Sequence, residues 1–203
     1  AVGITASTLL FHPLPWSGWK DPAIALLAAA LFSMAVGLAD DWIKAVKKRH
    51  EGLTPWQKIA GQVIVSVTFS LYCYLHPQIG SRIRVPFFQV EWDLGLFYIP
   101  IMTLFMIFYV NSANLQDGLD GLLSTVTTVS SGAWALVALI GASLLGWNTE
   151  MTGSTAVFAL SVMGACIGFL RFNRYPAKVF MGDTGSLTIG GIIGVCAVII
   201  HKE

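Results

Sequence analysis

Three polar clusters interrupt an otherwise apolar chain, and their residue types suit phosphate and metal chemistry. They are Asp40-Asp41, the stretch Asn111–Leu122 (NSANLQDGLDGL), and Met181–Ser186 (MGDTGS). In the second cluster Asn114, Asp117 and Asp120 stand three residues apart, so a helical course would set them on one stripe. Asp40, Asp41, Asp117, Asp120 and Asp183 would crowd five carboxylates into one region. Like charges in a low effective dielectric must protonate, pair with lysine or share a cation. Oxygen ligands with no histidine nearby suit a hard divalent ion, and Mg2+ usually completes its octahedron with waters and substrate phosphates. Gly182–Ser186 could offer backbone N–H groups to an anion before a helix start. Equally, its glycines could make a tight turn with Ser186 as the helix cap. Metal-binding carboxylates with phosphate-binding lysines at a membrane edge suggest phosphoryl transfer involving a lipid. The reading from another class is a cation-coupled transporter, whose acidic groups usually lie near the bilayer midplane on broken helices.

The elements that must position these clusters follow from composition. Of 203 residues, 55% are hydrophobic and 11% charged, against about 25% charged in ordinary soluble domains. Mean hydropathy is +0.70. The expected fold is all-α, a polytopic membrane helical bundle with active-site loops on the cytoplasmic side, forming a single integral membrane domain over residues 1–203. Apolar runs predict spans over 22–39, 59–74, 94–110, 122–145, 153–170 and 187–200, about six of near the twenty residues a bilayer requires. The apolar stretch Ala1–Phe11 is too short to span and reads as part of a further helix. His12–Asp21 suits an interfacial turn with tryptophan anchors. Trp42–Lys58 is polar and basic, and its first half predicts an interfacial helix with Trp42, Ile43 and Val46 on one face. RIRVPFFQVEW, inside the loop 76–93, predicts a short hairpin. Cys73, Cys166 and Cys196 lie in apolar runs without metal-site spacing and read as buried thiols. Alternating spans put all three acidic clusters on the side that holds Lys44, Lys47, Lys48, Arg49, Lys58, Arg171, Arg174 and Lys178. The positive-inside rule makes that side cytoplasmic.

GLADDWIK, NSANLQDGLDGL and FNRYPAKVFMGDTGSLTIGG resemble the cytoplasmic motifs of the polyprenyl-phosphate N-acetylhexosamine-1-phosphate transferases. DDWIKAVKKRHEGLTPWQK, with its basic insert, is most similar to the members that build the bacterial cell wall. The resemblance covers nearly the whole chain from about Gly37 onward. It implies transfer of phospho-MurNAc-pentapeptide from UDP to undecaprenyl phosphate, giving lipid I and UMP, in peptidoglycan synthesis at the bacterial inner membrane. Its nearest alternative in the family is GlcNAc-1-phosphate transfer. Carried over by motif position, Asp183 is the principal Mg2+ ligand. Asp40 and Asp41 lie at the reacting phosphates, with Asp40 the favoured base for the lipid phosphate. Lys44 and Lys58 neutralise phosphate charge. Asn114 and Asp117 line the sugar-phosphate side, with Gly182 in the phosphate-facing turn. Gly118, Leu119, Asp120, Asn173 and Phe180 hold the uridine, Phe180 stacking on uracil. Whether the lipid phosphate attacks directly or an aspartate first takes the phospho-sugar is open, with direct attack favoured. The implied partners are a UDP-sugar, undecaprenyl phosphate, the bilayer and a second copy of the chain in a homodimer, with no nucleic acid. The family's N-terminal lysine and glycine-rich motif and its histidine-rich loop have no counterpart among these residues; His12, His50, His76 and His201 form no such cluster. The chain is therefore expected to be a piece of a longer protein.

Overall fold

The computed structural model describes residues 22–48, 51–85, 90–147 and 149–200. Ala1–Phe11, the turn His12–Asp21, Arg49, His50 and His201 lie outside the described residues. Among the described residues, six helices are long and apolar enough to cross a membrane. They are α1 (Pro22–Lys47), α2 (Pro55–Leu75), α3 (Tyr98–Gln116), α4 (Leu122–Ile140), α5 (Thr149–Asn173) and α6 (Gly182–Ile200). Between α2 and α3 lies the expected hairpin, β1 (Arg82–Val85) antiparallel to β2 (Val90–Asp93), with Arg82 opposite Asp93 and Val85 opposite Val90.

α6 is the central helix. In its most apolar stretch 72% of residues are buried, against 22–50% in the other five, so most of their apolar surface faces outward. Phe32, Ile64, Leu104, Phe108, Val129 and Leu136 are exposed, as side chains solvated by lipid would be. α6 packs against α1 and α3, α2 lies against α3, and α4 pairs with α5. Small residues make the central contacts close. A Cβ on Gly37 of α1 would collide with the backbone of Asp183, and one on Gly190 of α6 would lie 2.5 Å from Val110 Cα on α3. With no hydrophobic force between helices in lipid, such backbone proximity is a main source of packing energy.

The largest departures from the expected spans lie at the polar clusters, where α3 runs to Gln116, six residues past the expected Val110, and α1 and α6 differ as well. α1 runs unbroken through Asp40-Asp41 to Lys47, so the expected span end and separate interfacial helix are one element. Nothing between Trp42 and Lys47 breaks a helix, and Lys44 Nζ meets Asp40 Oδ2 one turn earlier at 2.5 Å. α6 begins at Gly182, five residues before the expected Leu187, so Asp183–Ser186 is its first turn. The start of α2 is encoded locally. Thr54 caps it: Gln57 N–H donates to Thr54 Oγ1 (3.3 Å), Thr54 N–H donates to Gln57 Oε1 (3.0 Å), and Pro55 takes the first helical position. This box fixes where Lys58, in the same first turn, can reach.

Candidate active site

Asp183 is the meeting point. Its Oδ1 accepts from Asn114 Nδ2 on α3 (2.6 Å), and its Oδ2 faces Lys44 Nζ of α1 (2.7 Å) and Lys58 Nζ of α2 (3.0 Å). Lys44 also stands 3.7 Å from Asp41 Oδ1, in addition to its pairing with Asp40. Asp40 is 2% exposed. Its Oδ1 accepts the Leu53 N–H at 2.7 Å, because the loop after α1 folds back over it. Gly52 permits that approach: a Cβ there would lie 2.5 Å from Asp40 Oδ1. Both oxygens of Asp40 are thus engaged, Oδ1 by Leu53 N–H and Oδ2 by Lys44.

Asp41 does something the sequence did not suggest. Its carboxylate caps α6, accepting from Asp183 N–H (3.3 Å), Thr184 N–H (2.8 Å) and Thr184 Oγ1 (2.6 Å). Gly182 N–H is bonded to Asp117. The expected anion-binding turn is thus corrected: its N–H groups are held by carboxylates of the chain itself, which the helix dipole favours. Ser186 is no N-cap either; its Oγ accepts from Asn114 Nδ2 at 2.8 Å. Gly182 has φ +67°, and a Cβ on it would stand 2.9 Å from Asp41 Oδ2, so both conformation and space call for glycine.

The expected stripe of Asn114, Asp117 and Asp120 breaks where α3 ends at Gln116. Four of the five carboxylates gather, and Asp120 turns away to accept Ala177 N–H at 2.9 Å. Asn173, 3% exposed, accepts from Gly121 N–H (3.2 Å) and Ser124 Oγ (3.1 Å) and donates to Val179 O (3.0 Å). It ties the loop after α5 to the start of α4 rather than presenting its amide outward. Gly118, Leu119 and Phe180 are exposed, Phe180 at 71%. Thr184, Thr54 and Gly37, and the roles that Ser186 and Gly52 take here, escaped the sequence reading; only Thr54-Pro55-Trp56-Gln57 carried a local signal, the capping box.

Asp40, Asp41 and Asp183 each offer one oxygen, and these oxygens lie within 4.8 Å of one another. The donors are all carboxylates, as a hard divalent cation prefers. Two ammonium groups balance only two of the three charges, so the cluster fits such an ion electrostatically.

Burial, followed by the charges of Asp183 and Asp41, pushes the Asp117 carboxyl up to about 6, opposed by the Gly182 hydrogen bond. A folded value above the unfolded 3.8 contributes stability that is complete below about 3.8 and lost as pH rises through about 6. Asp117→Asn, which mimics the protonated form, should therefore raise stability at pH 8 by about 1 kcal/mol, the full shift being discounted for a half-exposed group. The gain should vanish by pH 4. Thermal unfolding in detergent and chelator at both pH values checks this, and a variant no more stable than wild type at pH 8 would contradict it.

The profile of glycosyl transferase family 4 matches residues 23–201. The chain belongs to this family. Among curated family 4 proteins it is 41% identical over 180 residues to the phospho-N-acetylmuramoyl-pentapeptide-transferase of Clostridium novyi (strain NT), covering 89% of this chain and 52% of that one. It is 42% identical over 182 residues to the protein of that name from Clostridioides difficile (strain 630), covering 90% and 54%. For the one from Listeria welshimeri the figures are 37% over 205 residues, 100% and 60%. The chain thus spans little more than half the length of these family 4 relatives.

Proposed function

We propose that the chain is part of a longer membrane transferase that moves phospho-N-acetylmuramoyl-pentapeptide from its UDP donor to undecaprenyl phosphate, giving lipid I and UMP with Mg2+. The observation that carries this reading is Asp183, met from three other helices by Lys44, Lys58 and Asn114. Such a site, at one end of the bundle rather than midway along broken helices, favours the enzyme over a transporter. The names of the relatives support the choice of donor sugar. The full-length protein should convert UDP-MurNAc-pentapeptide and undecaprenyl phosphate to lipid I with release of UMP. Turnover of UDP-GlcNAc alone would select the alternative sugar, and turnover of neither would sink the reading.

In this reading Asp40, Asp41 and Asp183 would hold Mg2+, which would neutralise charge on the pyrophosphate and ease departure of UMP. Lys44 and Lys58, beside these carboxylates, would carry the positive charge that meets the phosphate oxygens. Asn114 fixes the orientation of Asp183. An oxygen of the lipid phosphate forms the new bond to the β-phosphorus as the bond to UMP breaks. Direct attack is favoured because Asp40 is buried and Asp41 is committed to the start of α6, leaving neither free as a nucleophile.

The site faces the cytoplasm in this proposal, following the lysines and arginines at its end of the bundle. A cysteine at exposed Lys178 should be labelled from the cytoplasmic side and one at exposed Glu91, on the hairpin, from outside. Cys73, Cys166 and Cys196 are buried, so background should be low. Labelling of both from one face would refute the orientation.

Phe180 is exposed three residues before Asp183 and is proposed to stack on uracil, and Gly118, Leu119 and Asp120 are proposed to hold the rest of the uridine. Phe180→Ala should raise KM for the UDP-sugar roughly 5- to 150-fold, the equivalent of about 1–3 kcal/mol. Such binding is shared by ground and transition states, so kcat should stay within a few-fold of wild type. A fall in kcat at constant KM would move Phe180 to the reacting centre.

A further inference from the structure

Lys58 and Asn114 grip the two oxygens of Asp183 from different helices, so their alignment depends on how α2 sits against α3. One turn further into the bundle, Gln62 on α2 and Asn111 on α3 face each other. Asn111 Nδ2 donates to Gln62 Oε1 at 2.7 Å and to its own helix at Ile107 O at 2.8 Å. Gln62 Nε2 makes a long return contact to Asn111 Oδ1 at 3.5 Å. Gln62 follows Lys58 by four residues and Asn111 precedes Asn114 by three, so each amide lies under a group that holds Asp183. Gln62 is 4% exposed in a helix otherwise rich in apolar residues, and a buried amide is costly there unless bonded.

We propose that Gln62 and Asn111 form an amide bridge that positions Lys58 and Asn114 on the two oxygens of Asp183. Other polar contacts between α2 and α3, Thr103 Oγ1 to Ser70 Oγ at 3.4 Å and Cys73 with Tyr98, lie two or more turns from Gln62, toward the opposite end of the pair. The space beside Gln62, lined by Ser33, Val36, Ser66, Met106 and Leu187, is about 10 Å3, at the lower limit for one water. Loss of the Gln62 acceptor would leave Asn111 held only to its own helix, and nothing polar would then set the height of α2 against α3 at this level. These are positioning residues: neither touches the carboxylate itself. Their effect on turnover rests on the functional reading above, whereas their effect on the divalent site does not.

The test uses the full-length protein in detergent, with Mn2+ binding followed by electron paramagnetic resonance beside steady-state kinetics. Gln62→Leu should loosen Lys58 from Asp183 Oδ2 and so raise Mn2+ affinity, because one competing ammonium is withdrawn, while kcat falls about tenfold, the scale at which outer partners of a metal site act. KM for the UDP-sugar should change less than twofold. Gln62→Asn, one methylene short, should give smaller changes in the same directions, and the exchange Gln62→Asn with Asn111→Gln should return both quantities to wild type. The single Asn variant and the exchange carry the test if Gln62→Leu fails to fold. A lower Tm with unchanged Mn2+ affinity would reduce the pair to ordinary helix adhesion and overturn the proposal. So would an exchange variant that folds yet recovers neither quantity, or a wild type that binds no Mn2+. Absence of turnover in a wild type that does bind Mn2+ would instead sink the functional reading, and the affinities would still decide the bridge.

Discussion

Asp183→Asn in the full-length protein is expected to lower kcat about 1,000-fold, the upper range for removing one preorganised electrostatic group from a transition state. The substitution keeps shape and one acceptor, so Asn114 retains a partner. It removes the charge toward which Lys44 and Lys58 both converge, at 2.7 and 3.0 Å. Without that charge the lysines relax toward Asp40 and Asp41, and the three-carboxylate site for a divalent ion loses a member. Saturating Mg2+ should recover little, because the lost quantity is the ion's placement as well as its affinity. Initial rates across a Mg2+ titration decide the matter. Activity within tenfold of wild type at limiting Mg2+ would remove Asp183 from the centre of the mechanism.

The parts of this molecule that could be read from sequence are those written in local pattern. The six spans follow from apolar runs that no loop could bury, and the hairpin from its β-branched and aromatic residues. Span ends at the polar clusters could not be read, because a charge pair looks like a place to stop. Asp40-Asp41 stops nothing, since Lys44 lies one turn on and Gly52-Leu53 folds over Asp40. The chemical membership of the site was likewise legible from residue types, but its wiring was not. Asp41 and Thr184 are 143 residues apart, and no spacing rule connects a carboxylate on one helix to the first turn of another. Asp120 shows the opposite error. Its three-residue spacing from Asp117 suggested a shared helical face, yet α3 ends between Asn114 and Asp120, and a backbone N–H in the loop after α5 takes its carboxylate. Gln62 gave a faint signal, one amide in an apolar run, but its partner on α3 lies 49 residues away.

The same wiring gives Lys44 a double role with an unusual dependence on metal. Its ammonium stands among Asp40, Asp41 and Asp183, and Asp40 is almost wholly buried. Lys44→Met removes the positive charge while keeping most of the apolar stem, leaving Lys58 alone to face three carboxylates. Breaking a buried pair by deleting one partner costs about 3–5 kcal/mol, and partial exposure of Lys44 puts the expected loss near the lower figure. A divalent cation competes with Lys44 for the same oxygens. In wild type it must displace the ammonium, whereas in the variant it meets unneutralised carboxylates. Lys44→Met should therefore unfold at a lower temperature than wild type in chelator. It should also show the larger rise in Tm on adding Mg2+, since a ligand stabilises in proportion to its affinity for the folded form. Turnover should stay at least tenfold below wild type at saturating Mg2+, because the ion can replace the ammonium among the carboxylates but not at the phosphate that Lys44 is proposed to meet. Calorimetry with and without Mg2+ separates these effects. Equal Mg2+-induced shifts in the two proteins would mean that Lys44 and the metal do not share these oxygens, and the site would have to be drawn around Asp183 and Lys58 alone.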